Sequence, residues 1–139
     1  MSKKEQTIKR DVCFKGRALQ TGKNVEMICR PQEASSGIVF KRTDLTGSPE
    51  VSLSEVTALG GYKRRSTIVS ENAEVQTVEH FLAALWGLGI DNILVEVTGK
   101  ELPPSDGSAL GFLKPLKEAG LVEQEKERDY IKIEDPIEI

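Results

Sequence analysis

The chain has 139 residues, a length that fits one domain with a substantial buried core. Its 22 acidic and 19 basic side chains give a net charge of −3, and only 5% of the residues are aromatic. This composition argues against nucleic acid as a partner, because such binding relies on basic surfaces and on aromatic platforms for the bases.

The first half of the chain has the pattern of strands separated by turns. Alternating apolar and polar residues predict strands over residues 7–14, 24–30, 37–43, 50–53 and 64–70, the last of them an edge strand. A loop over residues 16–23 contains two glycines, and Gly60 and Gly61 mark a further turn.

A helix is predicted over residues 77–87, with Thr77 as its N-cap and Gly87 and Gly89 ending it. Its apolar residues recur at the spacing i, i+3, i+4 and i+7, which places them on one helical face. With the strand and helix that follow, they form the predicted core: Val78, Phe81, Leu82, Leu85, Ile93, Val95, Val97 and Phe112.

The second half continues with a strand over 92–98 and a helix over 109–119 that ends at Gly120. Pro115 removes one hydrogen bond from that helix and is expected to bend it or to move its start. Residues 121–128 are charged and are interpreted as a linker, and residues 130–133 and 136–139 as the opening strands of another sheet. The predicted fold is α/β (α+β), a two-layer sandwich in which a largely antiparallel sheet carries two helices on one face.

The polar N-terminus predicts no signal peptide, and the longest mainly apolar run, near residues 81–90, is too short to cross a bilayer. We therefore expect a cytoplasmic protein without a transmembrane segment. Cys13 and Cys29 lack metal-ligand spacing and are interpreted as small strand residues that stay reduced. A serine or cysteine triad within the chain is excluded, because the chain has a single histidine.

That histidine, His80, follows Glu79 in the first turn of the predicted helix. At about 100° per residue, His80 lies roughly 160° and Glu79 roughly 100° from the centre of the apolar stripe. The position argues against a core histidine and leaves two interpretations open. One is a solvated surface histidine; the other is a metal site in which imidazole binds zinc and the carboxylate acts as a general base.

Beyond these local patterns, residues 77–85 (TVEHFLAAL) and 87–92 (GLGIDN) resemble the signature of the UDP-3-O-acyl-N-acetylglucosamine deacetylase family. These zinc hydrolases commit a sugar nucleotide to lipid A biosynthesis in Gram-negative bacteria. Further matches, in the family's order and spacing, are residues 7–10 (TIKR), Gly16 with Leu19, Thr21 and Gly22, residues 37–45 (GIVFKRTDL) and residues 106–109 (DGSA). The resemblance runs from about residue 7 to the last residue and covers only what is the N-terminal domain in that family.

The resemblance implies two domains of similar fold with the active site between them. His80 would then be a zinc ligand and Glu79 the general base in hydrolysis of an acetamide. The other two zinc ligands, a histidine and an aspartate, a further catalytic histidine and the acyl-chain passage belong to the second domain. We accordingly expect residues 1–125 to form the N-terminal domain and residues 126–139 to be a linker and the first strands of an absent second domain. The expected partners are that domain, in cis or in trans, and a UDP-sugar lipid substrate.

The loops that carry Gln20, Thr21, Ser66 and Thr67 are expected to face the site. The sequence departs from the family there, with Gln20 in place of a usual histidine and Ser66 in place of a usual cysteine; Ser105 and Pro115 are further departures. One histidine cannot hold catalytic zinc, which takes about three protein ligands, so the isolated chain is expected to be inactive. The alternative is a stand-alone, non-catalytic domain of the same fold that binds a protein partner or a nucleotide sugar.

Overall fold

The computed structural model describes residues 3–55, 58–59, 64–134 and 136, with the side chains of residues 58–59 excepted. The strands, in chain order, are β1 (Lys4–Ile8), β2 (Val12–Arg17), β3 (Asn24–Pro31), β4 (Ile38–Arg42), β5 (Glu50–Ser52), β6 (Ala58–Leu59), β7 (Thr67–Val69), β8 (Glu74–Gln76), β9 (Ile93–Val97) and β10 (Leu121–Glu127). The helices are α1 (Glu79–Leu88) and α2 (Leu110–Ala119), and a single 3-10 turn covers Leu53–Glu55.

The main sheet has the order β2-β3-β9-β4-β5. Neighbouring strands in this sheet are antiparallel, except that β4 and β9 run parallel to each other. Two smaller antiparallel sheets accompany it, one of β1 with β10 and one of β6, β7 and β8. Neither α1 nor α2 is long and apolar enough to cross a membrane.

Four phenylalanine rings join the two layers. Phe14 of β2 lies edge-on to Phe112 of α2 at 5.3 Å between ring centroids, and Phe40 of β4 lies edge-on to Phe81 of α1 at 6.1 Å. Phe81 and Phe112 contact each other at 5.5 Å. The other face of the main sheet carries ion pairs between neighbouring strands: Lys15–Glu26, Arg30–Glu96 and Lys41–Glu50. Both helices therefore cover one face, and the predicted two-layer α+β fold is confirmed.

The predicted core residues are buried with one exception. Leu82 is only partly buried and packs against the edge of the core. The buried stripe of α1 runs through Phe81, Ala84 and Leu85 and continues from Val78, which precedes the helix. The prediction that Leu82 is fully buried is therefore wrong, because the stripe is centred closer to Phe81.

Several predicted boundaries are also wrong. The strand predicted over 7–14 is two strands, because the chain leaves β1 at Lys9, whose N–H donates to the Gly120 carbonyl at 2.9 Å. The linker predicted over 121–128 contains β10, which pairs with β1. Residues 130–133 are not a strand, and Ile131 is 99% exposed.

The small sheet also differs from expectation. Its strand β7 occupies the middle position between β6 and β8 rather than an edge, and β8 was not predicted at all. Each of these strands has only two or three residues, too few to produce an alternating pattern. The turn predicted at Gly60–Gly61 and the strand predicted over 136–139, apart from residue 136, lie outside the described residues.

The observed ends of the two helices agree only in part with the predicted ones. Gly89 ends α1 in the left-handed conformation, with φ of 69°, whereas Gly87 lies inside the helix. Thr77 is not the N-cap: Val78 occupies that position, and no side chain caps it. Pro115 lies inside α2 without moving its start, which remains at Leu110. The two cysteines lie in strands, Cys13 exposed on β2 and Cys29 buried in β3, where burial raises the pKa of the Cys29 thiol.

Candidate active site

Glu79 and His80 form the first turn of α1, outside the hydrophobic core. Their side chains are 33% and 36% exposed, and Glu79 Oε1 lies 3.9 Å from His80 Nε2. Each side chain is therefore held by neighbours on one side and open to solvent on the other. A carboxylate and an imidazole at this spacing can act on the same bound molecule.

Ser66 fixes the start of α1 through its backbone. Its N–H donates to Glu79 Oε2 at 3.0 Å, and its carbonyl accepts from the Thr77 N–H at 2.8 Å. The first bond occupies one oxygen of the Glu79 carboxylate and leaves Oε1 on the side of the His80 ring. Ser66, one of the residues expected to face the site, thus lies beside Glu79.

Gln20 and Thr21 reach the same region through a buried carboxylate, Glu101. The Gln20 N–H donates to Glu101 Oε1 at 2.9 Å and the Thr21 N–H to Glu101 Oε2 at 2.9 Å. The Thr77 hydroxyl donates to Glu101 Oε1 at 3.2 Å. Glu101 is 1% exposed, whereas the Gln20 side chain points to solvent. The 18–23 loop and the start of α1 therefore meet at Glu101.

The charge on Glu101 is maintained by these donors. Burial by itself would raise the pKa of this carboxyl group, but the N–H groups of Gln20 and Thr21 and the hydroxyl groups of Thr21 and Thr77 outweigh it. The net result is a pKa below the ordinary value of 4.5. Glu101 is therefore an ionised acceptor at neutral pH.

Thr67 is the one predicted site-facing residue that the structure buries. It is 1% exposed and pairs with Gln76 across β7 and β8. Its hydroxyl oxygen has no hydrogen-bond partner in the part of the chain that the structure describes. The side chain therefore lies behind the surface on which Glu79 and His80 are exposed.

Asp106 approaches the same helix end from the turn before α2. Its Oδ1 accepts from the Ser108 N–H at 2.9 Å and from the Ser108 hydroxyl at 2.8 Å. These bonds lower the pKa of Asp106. Asp106 is exposed, so its carboxylate adds negative charge to the surface near His80.

Sequence reasoning missed Glu101 and misassigned Thr77. Glu101 stands between Lys100 and Leu102 in a turn-rich segment, with no local pattern to indicate that it is buried. Thr77 was interpreted as a helix cap from its residue type and position.

The donor chemistry fits zinc only in part. The half-exposed imidazole of His80 is a suitable ligand, and Glu79 is a suitable neighbouring base. Over the described residues, however, no group of three or more His, Cys, Asp or Glu side chains is arranged to hold a metal ion. A catalytic zinc site uses about three protein ligands, so His80 can supply one member of such a set.

Two comparisons place these features beside known proteins. The family model described as LpxC: UDP-3-O-acyl N-acetylglycosamine deacetylase matches residues 5–139. The protein named UDP-3-O-acyl-N-acetylglucosamine deacetylase from Geotalea uraniireducens (strain Rf4) is 40% identical over 136 residues, which are 97% of this chain and 44% of that protein. The chain thus spans less than half of the length of this relative.

Proposed function

Because this chain belongs to the UDP-3-O-acyl N-acetylglycosamine deacetylase family, we propose that it is the N-terminal half of a zinc-dependent deacetylase. The reaction is hydrolysis of the N-acetyl group of UDP-3-O-acyl-N-acetylglucosamine in lipid A biosynthesis, and its compartment is the cytoplasm. The observation that carries the proposal is the pair Glu79 and His80, adjacent and partly exposed at the start of α1.

In this proposal Glu79 is the general base and His80 is a zinc ligand. Zinc, when bound, polarises the amide carbonyl and makes water easier to deprotonate. The Ser66 N–H holds Oε2 of Glu79, so that Oε1 is the oxygen available to take a proton from water. The water oxygen adds to the acetyl carbon, the nitrogen takes up a proton, and cleavage of the carbon–nitrogen bond releases acetate and the free amine of the sugar.

The remaining ligands come, in this proposal, from a second domain in cis or in trans. The relative from Geotalea uraniireducens has more than half of its length outside the region that this chain matches. Exposed apolar side chains on the two helices, Trp86 at 89% and Leu110 at 63%, supply a surface for such a domain to cover. The N-terminal domain, expected over residues 1–125, then extends to the end of β10 at Glu127, and the residues that follow lead into the second domain. The chain by itself is inactive.

The test uses the two-domain protein, made by joining or mixing this chain with the complementary domain. Glu79→Gln keeps the shape of the side chain but removes the base, so turnover falls by about 10²–10⁴-fold with zinc retained. His80→Ala removes a ligand, so zinc content and turnover fall together. The exposed Glu71→Gln is the matched control and leaves both unchanged.

Release of acetate, metal content after dialysis and melting temperature are measured on the same samples. Full activity of Glu79→Gln, or full zinc content of His80→Ala, would refute the assigned roles. Binding of the UDP-sugar lipid without any acetate release by the wild-type two-domain protein would instead support the non-catalytic alternative.

A further inference from the structure

Glu101 is buried, and its hydrogen bonds go to Gln20, Thr21 and Thr77 and not to the exposed pair, which raises the question of what this carboxylate does. We propose that Glu101 is a positioning residue: it ties the 18–23 loop to Thr77 and thereby holds Glu79 in its working orientation. The inference deepens the proposed function and rests on it. Its first step, the coupling of Glu101 to the Glu79 carboxylate, is a property of this chain alone.

The loop side of the connection is closed by its own backbone hydrogen bonds. Its ends are closed by the Ala18 N–H to the Lys23 carbonyl at 2.8 Å and the Gly22 N–H to the Ala18 carbonyl at 3.0 Å. Between them, the N–H groups of Gln20 and Thr21 point at the two oxygens of Glu101. Hydrogen bonds to a charged acceptor are about twice as strong as neutral ones. Glu101 is therefore the anchor of this loop.

The helix side of the connection passes through a strained residue. Thr77 has φ of 58°, in the left-handed region that a β-branched residue rarely adopts. Such a conformation persists only where surrounding contacts enforce it, and it is often found at functional sites. Two bonds do so here: the Thr77 hydroxyl to Glu101 and the Thr77 N–H to the Ser66 carbonyl.

Ser66 completes the connection, because its own N–H holds the Glu79 carboxylate at 3.0 Å. The path from Glu101 to Glu79 thus consists of three consecutive hydrogen-bonded steps, through Thr77 and Ser66. Loss of the Glu101 carboxylate removes one of the two bonds that resist relaxation of Thr77. Relaxation of Thr77 then moves the Ser66 carbonyl and, with it, the Ser66 N–H that orients Glu79.

The first test measures amide hydrogen exchange of this chain by NMR, for wild type and for Glu101→Gln. The variant keeps the side-chain shape but replaces one acceptor oxygen by an NH₂ group that faces backbone donors. We expect the amides of Gln20, Thr21 and Ser66 to exchange about 10–100-fold faster, the range given by loss of a hydrogen bond to a charged group. The amides of Met27 and Val95, in the central strands, keep their rates.

Glu5→Gln is the matched control, because Glu5 is also a buried carboxylate with polar donors. It accepts from the Ser35 N–H and from the Asn92 side chain, each at 2.8 Å. Thr77 precedes α1 and Asn92 follows it, and the ten residues of this helix span about 15 Å at 1.5 Å per residue. Glu5→Gln therefore leaves the Ser66 amide unchanged even where it lowers overall stability.

Each outcome decides the matter. Faster exchange at Gln20, Thr21 and Ser66 alone supports the proposal. Faster exchange at Gln20 and Thr21 with an unchanged Ser66 overturns it, because Glu101 would then only anchor the loop. A uniform rise over the whole chain also overturns it, because that is a general loss of stability. If Glu101→Gln does not fold, Thr77→Val removes only the hydroxyl donor, and an unchanged Ser66 rate overturns the proposal in the same way.

The second test is kinetic and uses the two-domain protein. Outer-shell partners of metal ligands typically contribute about 10–100-fold to affinity or activity, and we expect a similar range for a residue that orients the base beside a metal. We expect Glu101→Gln to lower kcat by that factor at unchanged KM, and the double variant with Thr77→Val to be no slower than Glu101→Gln. Unchanged kcat in the folded variant overturns the proposal. An inactive wild-type protein refutes the proposed function instead, and leaves the exchange result as it stands.

Discussion

Phe81 connects α1 to both the sheet and α2, and we predict that Phe81→Ala is strongly destabilising. The side chain is fully buried, and its ring makes edge contacts with Phe40 and Phe112. Truncation of a buried phenylalanine costs about 3–5 kcal/mol. Loss of two aromatic pairs, each contributing about 0.5–1.5 kcal/mol, places this site in the upper part of that range. Because a domain has only about 5–15 kcal/mol in total, the variant is close to unfolding.

Leu82→Ala is the matched control, one residue further along the same helix. Leu82 is partly buried, so the expected loss is about 1–2.5 kcal/mol, below the 2–5 kcal/mol of fully buried leucines. Urea unfolding, followed by far-ultraviolet circular dichroism, measures the loss of unfolding free energy in both variants. Tryptophan fluorescence is a poor probe here, because Trp86, the only tryptophan, is 89% exposed in the folded chain. Equal losses for the two variants, or a loss within about 0.5 kcal/mol for Phe81→Ala, would refute the assignment of the helix face.

Three further predictions concern the site. The stability that the Glu101 carboxylate contributes is fully present above its unfolded pKa of 4.5 and is lost as the pH falls through its folded pKa, which is lower. In urea unfolding, the free-energy advantage of wild type over Glu101→Gln therefore shrinks only as the pH falls below 4.5. Gly111→Ala places a methyl group 1.8 Å from Ser105 Oγ and lowers the free energy of unfolding by about 1–3 kcal/mol. At Gly87→Ala the methyl group lies in ordinary contact with the Leu113 side chain, at 3.8 Å, and raises the free energy of unfolding by about 0.5–1 kcal/mol. Gln20→His stays within about 0.5 kcal/mol of wild type, because the backbone of Gln20 makes the bond to Glu101 and its side chain is exposed; a larger change in melting experiments would contradict this.

Local sequence patterns predicted the elements whose burial follows a simple period. Strands β3 and β9 alternate between buried and half-buried residues, and α1 has a clear apolar stripe. Strand β10 has no such period, because its sequence, LVEQEKE, is mostly polar on both faces, and local patterns do not predict it. Its strand conformation depends on pairing with β1, more than a hundred residues earlier, which no local pattern encodes.

Some residues of the candidate site could likewise be predicted from local sequence, and others could not. Glu79 and His80 could be selected from their chemistry and from their position off the apolar stripe. Thr77 has the residue type of a helix cap, yet its hydroxyl is bound by Glu101, 24 residues away in sequence. Tertiary contacts override the local preference: Thr77 bonds to Glu101 and to the Ser66 carbonyl, and its φ is 58°. A buried glutamate in a turn-rich segment gives no local signal of that role.

The adjacency of Glu79 and His80 limits what α1 can provide. Two ligands on one helix need a spacing of three or four residues to share a face. Adjacent residues instead diverge by about 100° around the helix axis, so one side chain can hold a metal while its neighbour acts beside it. The 3.9 Å between Glu79 Oε1 and His80 Nε2 fits this division between a base and a ligand. The described part of the chain offers no group of three donors there, so completion of a zinc site depends on residues outside α1 and its neighbours. Under the proposed function, a proton acceptor and one ligand at the start of α1 are the part of such a site that this chain supplies.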